Sequence, residues 1–247
     1  MRPIRVRSRA IYLFLAVCAL SAPPAVAGQR HTVWAYPPGA GPKGSVEAET
    51  WITAARASSA ASTASEYRLE IENGLTDDVS LDLYLGVLNQ SSESAARVDR
   101  VQASLRANLL QEPAGLPVEL TGYFELKRDL DFSNPWAFEA ILIGGHAFDR
   151  LSYSFNLVYE SHLSSKAFQS NVREWKAIGT AGYEVTPRLW VGAEFIVAND
   201  AGTREVSVGP TVSLGLTEKT WIAIGPQFGL GRQTDDLAVR AIFGIFF

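Results

Sequence analysis

The chain has 247 residues and carries 22 Lys and Arg against 26 Asp and Glu, a net charge of −4, so it lacks the basic excess that a nucleic-acid partner calls for. Its single cysteine, Cys18, excludes an internal disulfide framework and a thiolate metal centre. Beyond the N-terminus no run stays apolar for the length of a spanning helix; the nearest, AFEAILIGGHAF, is broken by Glu139 and two glycines.

Residues 1–27 read as an export signal. Arg2, Arg5, Arg7 and Arg9 precede the apolar AIYLFLAVCAL, and AVA at Ala25 to Ala27 offers a small-residue cleavage site. A lipoprotein reading around LAVC competes, but Val17 is bulky for the position before a lipidated cysteine. Cleavage after Ala27 removes four arginines and no acid, leaving 18 basic residues against 26 acidic ones, a net charge of −8. Residues 28–44, GQRHTVWAYPPGAGPKG, lack alternation and are rich in Gly and Pro. They read as a short periplasmic lead-in, with Trp34 and Tyr36 as the features that could instead fold it into a barrel as a small plug.

From Ser45 the sequence breaks into twelve segments that alternate in character: 45–54, 65–75, 78–88, 97–110, 117–128, 136–147, 150–161, 172–184, 188–198, 203–215, 219–230 and 236–247. Every second connection is short: TDD, QEPAGL, FDR, TPR and TEK. The others are mostly longer and polar: ARASSAASTAS, NQSSESAA, DLDFSNP, HLSSKAFQSN, NDAGT and GRQTD. An even strand count with short turns at one end and longer loops at the other predicts an all-β, antiparallel transmembrane β-barrel over residues 45–247. A soluble sandwich or lipocalin-like barrel also alternates and is the rival reading.

Side-chain parity assigns the faces. Tyr67, Leu69, Leu83, Leu120, Phe124, Leu151, Phe155, Leu157, Val191 and Phe195 share the apolar parity. The opposite parity supplies candidate lumen-lining residues: Arg68, Glu70, Asp82, Tyr84, Arg106, Glu125, Lys127, Glu139, Glu194 and Arg240. Outward-facing Tyr67, Trp136, Tyr159, Trp175 and Phe228 fall near the loop ends of their strands, and Tyr153, Tyr183 and Phe247 near the turn ends. Aromatic rings sorted by height are expected of two membrane interfaces and not of a soluble core. The last segment, DLAVRAIFGIFF, puts Leu237, Val239, Ala241, Phe243, Ile245 and Phe247 on one face. Phe243 and Phe247 there read as a signal for the barrel-assembly machinery.

The stretches PKGSVEAETWITAARASS and YRLEIENGLTDDVSLDLYLGVL resemble the start of exported Gram-negative barrels of unknown function. PVELTGYFELKRD, LSYSFNLVYES, TPRLWVGAEF and VSVGPTVSLGL fit the later strands of that pattern, which is distantly similar to the outer-membrane barrels of the meta-pathway of phenol degradation. The resemblance covers residues 42–247 and implies the outer membrane of a Gram-negative bacterium. It further implies contact with its lipids and lipopolysaccharide, and passage of small solutes, aromatic ones among them. It carries no catalytic residue.

Enzymatic signals are sparse. ESHLSS places His162 and Ser164 two apart with Glu174 on the next segment, a grouping that could serve a lipid hydrolase. Parity turns it inward, at the start of a polar loop, and a polar rim is the preferred reading. His31 and His146 lack partners at metal-ligand spacing. GPQFGLG lacks the P-loop Lys and Ser/Thr, and its glycines read as points of bending or close approach. The expectation is a non-enzymatic narrow pore or transport facilitator without metal or cofactor. A plugged, mainly structural barrel and a lipid hydrolase are the alternatives.

Overall fold

The structure, a computed structural model, describes residues 29–56, 64–90, 97–111, 118–130, 135–163, 170–200, 202–231 and 233–247. The export signal read at 1–27 lies outside the described residues. Twelve strands follow one another: β1 Val46–Arg56, β2 Ala64–Gly74, β3 Val79–Gln90, β4 Arg97–Leu110, β5 Glu119–Asp129, β6 Ala137–Phe148, β7 Leu151–Leu163, β8 Ser170–Thr186, β9 Leu189–Asp200, β10 Thr203–Gly215, β11 Thr220–Gly229 and β12 Leu237–Phe246. Each matches one predicted segment to within a few residues. No helix occurs among the described residues.

Every strand pairs antiparallel with its neighbours in sequence, and β1 pairs with β12, so the sheet is a closed barrel. The closing register runs from Glu47 opposite Phe246 to Arg56 opposite Leu237. The amide of Phe247 extends this seam by donating to the Val46 carbonyl at 3.0 Å. Closure removes the unpaired edges that an open sheet would present. At the turn end the connections are tight: in the two-residue link between β6 and β7, Asp149 takes φ 52, a left-handed conformation that Asp tolerates better than bulkier residues.

The faces sort as parity requires. Leu83, Leu105, Phe124, Leu142, Leu157, Val191, Phe195 and Ile224 are apolar yet exposed on the outside, whereas Glu70, Asp82, Glu125, Asn156, Thr211 and Glu194 are buried inside. This inverts the soluble pattern, and so continuous an apolar exterior fits lipid and not water. Trp136, Trp175 and Phe228 are exposed near the loop end, and Tyr183 and Phe247 near the turn end. Tyr159 lies 4.5 Å from Trp175 and 5.6 Å from Phe138 between ring centroids, so the loop-end aromatics form a run across adjacent strands.

Candidate functional site

Residues 28–44 were expected to lead into the barrel from outside; residues 29–41 instead form a loop within it. Gln29 donates to Ser213 at 2.8 Å, close to the β8–β9 turn. The chain then rises to mid-barrel at Val33–Tyr36 and returns through Pro37 and Pro38. On the way back the Gly39 amide donates to Thr121 (2.7 Å) and the Gly41 amide to Glu72 (2.9 Å). The loop has no periodic ladder. Its backbone is satisfied one group at a time by wall side chains, which meets the requirement that buried amides find partners.

The grip centres on Glu194. Its carboxylate accepts the amides of Val33, Trp34 and Ala35 at 2.7, 2.8 and 2.7 Å, and the Thr211 hydroxyl at 2.6 Å. Four donors take the place of a cation, so this buried carboxylate is stabilised without an ion pair among the described residues. Asn156 fixes the next peptide from both sides, accepting from the Tyr36 amide at 2.6 Å and donating to its carbonyl at 2.9 Å. The Trp34 indole donates to the Gly225 carbonyl at 2.9 Å. A Cβ on Gly225 would stand 3.1 Å from the Val33 side chain and 3.2 Å from Trp34, so this glycine of GPQFGLG permits the close approach. Arg30 is the loop's full charge: it reaches Glu49 at 3.4 Å and lies over Tyr36 and Trp51. Burial lowers the pKa of His31, whose ring stacks on that of Trp190.

The ten sequence-named lumen candidates all face inward, in separate groups. Arg106 lies 3.8 Å from Asp82, and Glu70 stands across the ladder from Tyr84. The Tyr84 and Tyr123 hydroxyls are 3.0 Å apart, and Tyr123 donates on to Glu125 at 2.5 Å. Lys127 gathers Glu125, Glu139 and Glu160 at 3.4, 3.0 and 2.8 Å. Arg68 pairs with Glu66 at 2.9 Å. Arg240 donates to Thr53 at 2.9 Å and lies 4.1 Å over Trp34. Glu194 is thus the wall's main hold on the loop, a role that parity alone could not assign. Phe243 and Phe247 face outward.

Sequence reasoning missed the inward tryptophans. Trp51 sits among Arg30, Arg68 and Arg240, at 4.6, 5.4 and 5.2 Å from their guanidinium carbons. Trp190 and Trp221 fill the turn end, and a Cβ on Gly244 would meet the Trp221 ring at 2.2 Å. The available signal was the parity of Trp51, which it shares with Glu47 and Glu49.

The loop tip divides the space. Above it, towards the loop end, lies a cavity of about 380 Å³ with Trp34, Tyr36 and Trp51 in its lining. Below it lie cavities of about 410 and 230 Å³, bounded by Pro37 and Pro38 of the returning arm. The upper cavity shares no lining residue with either lower one.

The hydrolase grouping gains no support from its described members. His162 lies opposite Ala137 at the loop end of β7, Glu174 pairs with Lys176 at 2.9 Å, and Ser164 lies outside the described residues. Among the described residues no cluster of three or more His, Cys, Asp or Glu side chains could hold a metal ion.

Comparison by shape finds barrels. The NanC porin superposes with a TM-score of 0.58 at 9% identity, covering 81% of this chain and 98% of that one. An outer membrane channel from Pseudomonas putida F1 gives 0.59 at 14%, covering 85% and 97%. The KdgM porin gives 0.53 at 13%, covering 82% and 99%. The fold is that of outer-membrane barrels. At these identities the likeness establishes architecture and nothing finer. No protein-family model matches the chain, and no curated protein matches it by sequence.

Proposed function

We propose that this chain is an outer-membrane β-barrel of a Gram-negative bacterium that passes small solutes, held closed in the described state by its own residues 29–41. The observation that carries the reading is the loop in the lumen. It is bound through side chains to an otherwise complete barrel, and separate cavities lie on its two sides. A permanently filled barrel needs only wall side chains for its interior; a loop held by discrete hydrogen bonds is a part that can leave. The turn end is then periplasmic and the loop end external, with lipid and lipopolysaccharide against the apolar wall. That the structurally similar proteins include porins and a channel agrees with this reading. The finer kinship, with barrels of the phenol meta-pathway, belongs to the same proposal and rests on strand and turn motifs.

Planar-bilayer recording of the whole mature protein beside a form lacking residues 29–41 tests it. The shortened barrel should still fold, shown by heat-modifiable mobility in gels. Its conductance should exceed that of the intact protein by at least about tenfold, because the loop occupies the middle of a lumen of intermediate width. Silence of both forms would leave the mainly structural barrel as the better account.

A further inference from the structure

The upper cavity is electrically two-sided. Strands β1 and β7 stand six places apart around the ring in either direction, so they face each other across the lumen. On the β1 side Arg240 projects from β12 and Arg68 from β2, both lining the cavity, while Arg100 lines it from β4, midway between the two sides. On the β7 side Glu125, Glu139 and Glu160 line it from β5, β6 and β7.

Charges on the two walls are matched unequally. Arg68 is matched by Glu66 at 2.9 Å and Arg100 by Asp129 at 3.2 Å. Arg240 has no carboxylate within 4.0 Å among the described residues; it donates to Thr53 and weakly to the Val33 carbonyl, with its planar face on Trp34. The acids in the lining near it are the already paired Glu66, Glu205 on β10 and, at the rim, Asp235. Opposite, one ammonium, Lys127, serves three carboxylates. Even with one proton shared among those three, a negative charge remains in surplus. Lys176, also on that wall, is held by Glu174 at 2.9 Å. Ile141, Val158, Ile178 and Ile196 form an apolar patch in the lining from β6 to β9, next to the polar Asn156, Ser207 and Gln227, with Trp34 and Tyr36 at the floor. Its volume of about 380 Å³ lies within the range of small-molecule sites.

From this we infer that the upper cavity binds small zwitterions: solutes with a carboxylate at one end, an ammonium at the other and an apolar body between. The carboxylate docks on Nη2 of the Arg240 guanidinium, with Nη1, only weakly held by the Val33 carbonyl, able to supply a second donor. The ammonium lies against Glu139 and Glu160, supplementing Lys127, and the alkyl body covers the isoleucines. The inference deepens the solute-passage reading and rests on it for its biological sense.

Binding is measured by titration calorimetry on the full mature chain in detergent, with three probes of equal length: 6-aminohexanoate, hexanoate and hexylamine. The doubly charged probe should bind about fivefold or more tighter than either singly charged one, the factor expected of one added half-buried ion pair. Arg240→Gln should erase its advantage over hexylamine, and Arg240→Lys should keep part of it. Glu160→Gln should erase its advantage over hexanoate. Heat-modifiable mobility identifies folded samples, and Glu139→Gln replaces any variant that fails to fold. Equal affinity for all three probes, or no binding of 6-aminohexanoate by folded protein, overturns the inference. Because binding in detergent needs no conduction, a protein that binds but never conducts refutes the channel reading and leaves this one. A protein that conducts but binds nothing does the reverse.

Discussion

The two ends of the described chain meet the same barrel wall by opposite means. The C-terminal strand, residues 237–247, is stitched to β1 and β11 by a regular ladder, with one face outward and one inward. Residues 29–41 cross the lumen without any ladder, held by single side chains distant in sequence, such as Glu194 and Asn156. A ladder spreads its stability over many similar bonds, so no one residue dominates. A loop held at a few points concentrates it, so one residue can decide whether the loop stays.

Three substitutions sharpen that contrast. Glu194→Ala removes four hydrogen bonds to one carboxylate. The loop can regain water by leaving, so the net loss is about 3 kcal/mol, or roughly a hundredfold in the ratio of occupied to vacated lumen. Bilayer recordings of the folded variant should approach those of the loop deletion, with Glu194→Gln intermediate because it keeps one of the two acceptor oxygens. Unchanged conductance would show that the loop is fixed by packing alone.

Removing Phe247 acts at the other end and differently. Its amide closes the seam at Val46, and its ring lies exposed at the turn-end margin. The expected outcome is a several-fold drop in assembled protein in membrane fractions, with the conductance of each assembled molecule unaltered. A change in conductance at constant abundance would reverse the roles assigned to the two ends.

The smallest effect is expected from Gly225→Ala. The added Cβ would sit 3.0 Å from the Thr211 hydroxyl and 3.1 Å from Val33, so the loop must shift slightly to keep its hydrogen bonds. A cost of about 1 kcal/mol corresponds to a roughly fivefold rise in vacated lumen. That is visible as more frequent openings, with thermal stability of the barrel unchanged. Loss of the folded barrel instead would place Gly225 among the wall's own packing requirements.

How much was legible beforehand follows from the same contrast. The twelve strands, their closure and the inward set from Arg68 to Arg240 were readable because a two-residue period, repeated with turn chemistry between, carries its own redundancy. Trp51, Trp190 and Trp221 were harder. Large aromatics were expected at the interfaces, and the glycines that make room inside, such as Gly182 for Trp190 and Gly244 for Trp221, lie on neighbouring strands where cross-strand register decides the fit. The loop was least legible. GQRHTVWAYPPGAGPKG has the composition of a linker, and the wall partners of its backbone amides lie 31 to 161 residues away.

The sequence by itself determined the barrel: its strand number, its two faces and the kind of charge it encloses, since each depends on short-range alternation in the chain. Only the tertiary structure decided what those charges do. It turned Glu194 into the holder of three amides, gave Lys127 three acids to serve and left Arg240 with no carboxylate within 4.0 Å among the described residues. Pairing across a lumen depends on which strands face one another and on what enters between them. That is a property of the closed ring and its inserted loop, and no strand carries it alone.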